Sequence, residues 1–413
     1  MQKSGERGAV VVGGSMSGLF AASLLARAGW RAEVYERADR ELSGRGAGIV
    51  THAPMATALQ AAGCDPTRNL GVEVAGRKTL DRSGAVIGRH RCPQTLTSWD
   101  RVFRMLRESF PAERYHLGKE LRRIEQSANS AVAHFADGSS AEADLIVGAD
   151  GFRSSVRAQV LPHIKPAYAG YVAWRGLVPE SALSAAAHAD LFDALVFCLP
   201  PGEQCLTYPV AGPDNDLRRG RRRCNFVWYR PVLEGAALTR MLTDAAGHVH
   251  ALGIPPPLVR PRIVAELRAA AQALLPPQLE EIVRLTERPF LQPIYDVESP
   301  RMAVGRVALI GDAAFLARPH VAAGVTKAAE DAVALVTALQ SNEAVDTAEA
   351  VDAALARFEA ARIGINLKVM QRGRDLGTYL QPQPSVENRR KAARHGTPQA
   401  VMEEIAVLDF LRD

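Results

Sequence analysis

After a polar opening, the first apolar run is Ala9–Val12, and it ends at a glycine. A run that short suits a buried strand better than a helix. From Leu19 to Ala28 the apolar residues Ala22, Leu25 and Ala26 recur at helical spacing, and Gly29 stops the pattern. RAEVYER at 31–37 then reads as a second strand, which completes a β-α-β unit. Further along, a helix is predicted over 54–62, alternating strands over 72–98 and a helix over 100–109. A hairpin leads into a buried strand over 131–151, and residues 169–235 are strand-rich and punctuated by Gly and Pro. A proline-interrupted helical region follows at 254–285, then a buried strand ending in a turn at 305–314 and helices over 324–340 and 350–375. Residues 377–390 read as a linker, with a short helix closing the chain.

Nucleotide-type elements therefore stand at both ends, with a mostly antiparallel β segment between them. The expected fold is α/β: a discontinuous Rossmann-like domain over 1–168 and 285–376, with a β-rich excursion at 72–98. A substrate-binding domain is expected over 169–284, and a linker and C-terminal helix over 377–413. That tail could supply a homodimer contact.

Composition narrows the picture without changing it. The 413 residues are 47% hydrophobic and 23% charged, an ordinary globular balance. A net charge of +5 suits a small anionic ligand, but the basic residues are too scattered for nucleic acid. The densest run, Arg218–Arg223, reads as a solvated turn. Five cysteines without C-x-x-C spacing argue against a disulfide framework or a structural zinc, and fit a reducing cytoplasm. No cleavable leader and no stretch of roughly 20 apolar residues is evident, so no membrane partner is expected.

The β-α-β unit carries VVGGSMSGLF at 11–20, close to G-x-G-x-x-G but with Ser15 at the middle glycine. The first glycine permits the tight turn, and the third allows close helix–strand packing; Gly13 and Gly18 keep those positions. The turn residues Ser15, Met16 and Ser17 then open a helix whose free N–H groups face a pyrophosphate. Glu36, followed by Arg37, is placed to accept ribose hydroxyls, which favours FAD or NAD over NADP. Ser15 is tolerable: at negative φ its hydroxyl can meet a phosphate, and at positive φ the cost is about 1–2 kcal/mol. Two further strands end alike, DLIVGADG at 144–151 and RVALIGDAA at 306–314.

Together with GRGAGI at 44–49, GADGFRSSVR at 148–157 and GDAAFLARPHVAAGVTKAAEDA at 311–332, these segments resemble the class A flavoprotein aromatic hydroxylases. These are single-component FAD monooxygenases related to para-hydroxybenzoate hydroxylase, and the likeness runs to about residue 375. It implies that Asp312 holds the FAD ribityl chain and that Pro319 lies beside the isoalloxazine. It further implies that Ala322, Ala323, Gly324 and Val325 offer backbone N–H groups to the flavin edge. Asp150 is implied in FAD and NAD(P)H binding, and Arg45 in a flavin contact. The chain departs from the family at Ala322-Ala323-Gly324 (Gly-x-Gly), at Phe315-Leu316 (His-Pro), and at Ser98 or Trp99 (Arg). GYVAWRG at 170–176 and RPHVAAG at 318–324 resemble the hydroxypyridine subgroup, typified by 2,6-dihydroxypyridine 3-hydroxylase, which also tolerates Ser at position 15.

The implied reaction is hydroxylation of a small hydroxypyridine or hydroxypyridine carboxylate with NADH or NADPH and O2, through a flavin C4a-hydroperoxide. The cofactor then carries the hard step. The protein must orient the ring, exclude water and help deprotonate a ring hydroxyl. His320 beside Pro319, His52 after the GAGI turn, and Tyr208 on a sheet strand are the candidate catalytic groups. Trp174, Arg175, Trp228 and Tyr229 read as core or support, and Cys198 and Cys205 as buried small hydrophobes. No redox cysteine pair, Baeyer–Villiger motif or halogenase W-x-W-x-I-P is present. The alternatives are an NAD-dependent dehydrogenase, which leaves the Asp150 and Asp312 segments unexplained, and a non-catalytic flavin-binding protein.

Overall fold

A computed structural model describes residues 7–42, 48–67, 69–340 and 348–412. Two large sheets organise them, beside a three-stranded one of Leu121–Gln126, Ala131–Phe135 and Ser140–Ala143. The smaller of the two has six strands, in the spatial order Ala303–Val304, Val307–Leu309, Leu145–Gly148, Gly8–Val12, Arg31–Tyr35 and Tyr115–His116. Its central strands run parallel and end in step: Val12 lies beside both Tyr35 and Gly148, and Gly148 beside Leu309. Strands buried on both faces read as continuous apolar runs, which is why AVVV and LIVG were legible. The Met16–Arg27 and Gly324–Gln340 helices cover one face of this sheet and pack on each other.

Nine strands make the larger sheet, which is antiparallel except where Val72–Leu80 lies parallel to Ala194–Cys198. Val72–Leu80 and Val86–Ser98 were expected as an excursion of the nucleotide-binding part. They instead extend the large sheet, since Val72–Leu80 pairs with Ala194–Cys198 over a full register. Alternation sorts this sheet into two faces. Trp174, Phe226 and Trp228 pack against the Pro261–Leu274 and Pro277–Leu285 helices. Tyr171, Phe197, Leu206, Tyr208 and Tyr229 face the other way, toward the smaller sheet and the chain's end.

The closing segment is more ordered than a linker and one helix. A Thr378–Leu380 turn leads to helices Val386–His395 and Pro398–Glu404. Ser385 Oγ caps the first by accepting the Asn388 N–H at 3.1 Å, a signal buried in a proline-rich stretch. The fully buried Arg77 donates to the carbonyls of Met402 (2.7 Å) and Ile405 (2.6 Å), holding this end against the sheet. The expected solvated turn ends at Arg221: Arg223 already opens the Arg223–Pro231 strand and donates from Nε to Ala211 O at 2.9 Å. Arg222 leaves solvent to pair with buried Glu180 at 2.7 Å.

Candidate active site

The step-wise ending of the parallel strands decides where the chemistry gathers. Gly13, Glu36, Ala149–Asp150 and Ile310–Asp312 all follow the carboxyl ends of adjacent strands, the edge at which such sheets bind ligands. Backbone bonds continue the ladder past the strands: Gly13 N to Tyr35 O at 2.9 Å, Ala149 N to Val12 O at 2.8 Å and Ile310 N to Gly148 O at 3.0 Å.

The opening turn is tight for stated reasons. Gly13 has φ +107°, and a Cβ there would lie 2.5 Å from Ala149 O. A Cβ on Gly18 would lie 1.8 Å from Gly13 O, so both positions exclude any side chain. Ser15 has φ −81°, the unstrained case, and its side chain makes no capping bond to the helix it precedes. Met16 is buried and can offer only its backbone, while Ser17 packs against the next turn: a Cβ on Gly311 would meet its Oγ at 2.3 Å. The structure thus brings the Gly13–Gly18 turn and the Asp312 turn together.

Glu36 is buried and accepts the Gly14 N–H at 2.8 Å and the Ala38 N–H at 2.9 Å, so its first task is to hold the turn. Arg37 beside it is exposed. Asp150, at the same strand edge, is engaged locally. Its carboxylate accepts Ser154 Oγ at 2.5 Å and the backbone N–H groups of Ser155 (2.6 Å) and Val156 (3.2 Å). Together with the Ser154 N-cap it satisfies the first turn of the Ser155–Val160 helix. Arg45 lies outside the described residues.

Asp312 behaves differently. It lines a cavity of about 530 Å³ between the two sheets, and among the described residues its carboxylate has no hydrogen-bond partner. Burial raises its pKa, and the Lys327 ammonium nearby offsets part of that rise. The turn carrying it is tied from below. Buried Asp331 accepts the Gly311 N–H at 3.0 Å, Arg362 Nε at 2.8 Å and Asn366 Nδ2 at 3.1 Å.

Pro319, Ala322, Gly324 and Val325 line the same cavity, and Ala323 is buried behind them. Ala322 has φ +51°, where the family more often has glycine, and is the point at which the chain bends into the long helix. A Cβ on Gly324 would meet nothing within 4 Å, so the space before this helix N-terminus is open and faces its unpaired N–H groups.

His320 and Tyr208 reach the cavity; His52 does not. The His52 backbone is extended at the start of its helix, and its Nδ1 pairs with Thr326 Oγ1 at 3.1 Å. Its Nε2 pairs with Ala406 O at 3.4 Å, so the ring supports the cavity floor from behind. His320 shares a 2.8 Å hydrogen bond between Nε2 and Tyr171 Oη, and its buried Nδ1 has no partner. Burial and the Arg318 and Arg175 charges lower its pKa to about 3, so it is neutral. Burial likewise raises the Tyr208 phenol pKa and keeps it protonated.

Arg175 and Tyr229, expected as core or support, both line the cavity. Period-2 alternation from Tyr171 through Ala173 carries Arg175 to this face, and away from Trp174. A cation in an otherwise apolar strand was the available signal. Arg318, also on the wall, is neutralised by Asp296 at 2.9 Å.

These features fit FAD. An open helix N-terminus, an unpartnered carboxylate and a serine-opened phosphate turn lie along one strand edge that ends in a mostly apolar cavity.

Comparison with known proteins agrees. The FAD binding domain family model matches residues 7–203, and an FAD binding domain-like model matches 168–296. The 2,6-dihydroxypyridine 3-monooxygenase of Paenarthrobacter nicotinovorans is 34% identical over 80% of this chain and 82% of that one. The 6-hydroxynicotinate 3-monooxygenase of Pseudomonas fluorescens is 29% identical over 90% of this chain and 91% of its own. The solved 2,6-dihydroxypyridine-3-hydroxylase from Arthrobacter nicotinovorans superposes with a TM-score of 0.85 at 31% identity, covering 92% of this chain and 94% of that one. The dehydrogenase alternative is set aside by this kinship.

Two outcomes test the site. Alanine at position 324 meets no protein atom and favours a helix by about 1 kcal/mol over glycine. Gly324→Ala should leave the FAD-free protein at least as stable in denaturant, yet weaken FAD binding about tenfold or more. Unchanged flavin affinity would remove this turn from the cofactor site.

The second outcome concerns pH. Native His320 titrates near 3, whereas an unfolded histidine titrates near 6.5. Between those values the unfolded chain binds one more proton, so stability falls on acidification by up to about 1.4 kcal/mol per pH unit. His320→Gln should remove about one proton from the slope measured between pH 6.5 and 4.5. An unaltered slope would mean that the native ring takes up the proton. The membership that this geometry and these relatives establish is plain: the chain belongs to the class A FAD-dependent aromatic hydroxylases, within their hydroxypyridine subgroup.

Proposed function

We propose that this FAD-dependent monooxygenase hydroxylates a small hydroxylated N-heteroaromatic, a hydroxypyridine or hydroxypyridine carboxylate, with NADH or NADPH and O2. The observation that carries the reading is the cavity itself. One wall is the flavin-side run of Asp312, Pro319, Ala322, Gly324 and Val325; the opposite wall is the aromatic face of the large sheet. The named activities of the two curated relatives on hydroxypyridine-type rings support the same substrate class.

In this reading the Gly13–Gly18 turn holds the pyrophosphate and Glu36 the ribose end. Asp312 holds the ribityl hydroxyls, and the N–H groups at 324 and 325 hold the pyrimidine edge. When bound, FAD supplies the two-electron chemistry and oxygen activation that no side chain here can provide. The chain's own residues do the rest. Phe197, Leu206, Val227, Leu291 and Ile294 exclude water. Tyr208 and Tyr229 present phenols to a flat ring. His320 is too weak a base at pKa about 3 to hold a proton, but its free Nδ1 can bond a ring hydroxyl or ring nitrogen. Tyr171 fixes the orientation of that ring from behind.

The test is a panel of hydroxypyridines and hydroxypyridine carboxylates, scored for stimulated NAD(P)H oxidation and for hydroxylated product. At least one should give both in near-equal amounts. Stimulated oxidation without product, or no response across the panel, would contradict the proposed substrate class.

A further inference from the structure

Of the three arginines among the described residues of the cavity lining, Arg175 alone makes no hydrogen bond, ion pair or ring contact. Arg175 sits at the middle of the Ala167–Pro179 strand, opposite Val227 on one neighbouring strand and Phe290 on the other. Its Nε is buried without a partner, and among the described residues its guanidinium makes no hydrogen bond or ion pair. The other cations of the wall are accounted for. Arg318 is paired with Asp296, and Arg153 lies over the Phe152 ring and donates to Gly253 O at 3.3 Å. Among the described residues, Asp312 is the only carboxylate of the lining, and the flavin-side turn carries it.

A guanidinium keeps its charge in any setting, so it cannot escape burial by losing a proton. Arg175 is half-buried with Phe197, Leu206, Tyr208, Val227 and Tyr229 around the same cavity, and its buried Nε lacks an acceptor that an incoming anion would supply. The same low-dielectric setting makes that attraction stronger than it would be in water. The planar fork of five donors matches a carboxylate or an aryl oxyanion edge-on. The Arg175 charge is also felt by Tyr208, Tyr229 and His320, the three polar groups around a ring seated in the cavity.

We infer that Arg175 is the anchor for a negatively charged oxygen on the aromatic ligand, so that the protein selects planar aromatic anions over neutral rings of the same shape. This rests on the proposal that the cavity between the flavin-side turn and the large sheet is the ring site. The negative oxygen can be a ring carboxylate or an ionised ring hydroxyl. In the second case Arg175 also lowers the pKa of that hydroxyl, taking over the task a neutral His320 cannot perform.

Calorimetric binding to the FAD-loaded protein tests this with matched pairs, benzoate against benzamide and 6-hydroxynicotinate against 6-hydroxynicotinamide. An anion preference of about 100-fold is expected in the unaltered protein, falling to within a few-fold in Arg175→Gln and partly kept in Arg175→Lys. For 2,6-dihydroxypyridine, the ultraviolet spectrum of the bound ligand should show the ionised form below the pH at which the free compound ionises. A carboxylate pair that discriminates while this spectrum stays neutral identifies the carboxylate as the source; the reverse identifies the oxyanion.

Equal binding of acid and amide in the unaltered protein would overturn the inference even if Arg175→Gln fails to fold. So would a preference that survives in Arg175→Gln, or a variant that loses FAD affinity and leaves anion preference intact. An Arg175-dependent preference in the benzoate pair, with no hydroxypyridine bound or turned over, would sustain the anchor while refuting the proposed substrate.

Discussion

Parallel strands that end in step impose the constraint on which the site depends. Because Val12, Tyr35, Gly148 and Leu309 are register partners, the turns that follow them emerge side by side at one edge of the smaller sheet. Gly13 and Gly18 admit no Cβ, which lets the first turn pack against its neighbours. Asp331, without solvent exposure, ties the Gly311 turn to Arg362 and Asn366 on a distant helix. Removing one partner from such a buried ionic cluster costs about 3–5 kcal/mol, so the turn is held in one position. Asp312 can then remain unpartnered at the cavity wall because its backbone is fixed by groups other than its own side chain.

The large sheet supplies the opposite wall by alternation. One face of Ala167–Pro179 gives Trp174 to a helix-covered core, and the other gives Tyr171 and Arg175 to the cavity. The C-terminal segment closes the floor: Ile405 and Ala406 line the cavity, Arg77 holds the Ile405 carbonyl, and Ala406 N donates to His320 O at 2.9 Å. The cavity is therefore built from three parts of the chain that are far apart in sequence.

Much of this was legible before any coordinates. Glycines between a buried strand and a helix have a steric reason to be there, so the Gly13–Gly18 turn announced itself, as did the strand-ending Gly-Asp at 311–312. Less legible was anything decided by which neighbour wins a carboxylate. Asp150 has a sequence context like that of Asp312, yet Ser154 and the N–H groups at 155 and 156 claim it. His52 follows the GAGI turn as foreseen, but Thr326 and Ala406, remote in sequence, draw its ring out of the cavity. Arg175 looked structural because its neighbours in sequence are apolar; only the pairing of strands shows which face it takes.

The central claim is that Asp312 is kept without a protein partner for the sake of a bound flavin. Titration of FAD into the Asp312→Ala protein, beside denaturant unfolding of both FAD-free proteins, tests it most directly. Loss of an unpaired, half-buried carboxylate should leave the FAD-free protein as stable or more so, while FAD affinity falls about 100-fold or more, the scale of losing charge-assisted hydrogen bonds in a ligand-covered site. Retained flavin affinity would contradict the account, as would a loss of affinity explained entirely by lost stability.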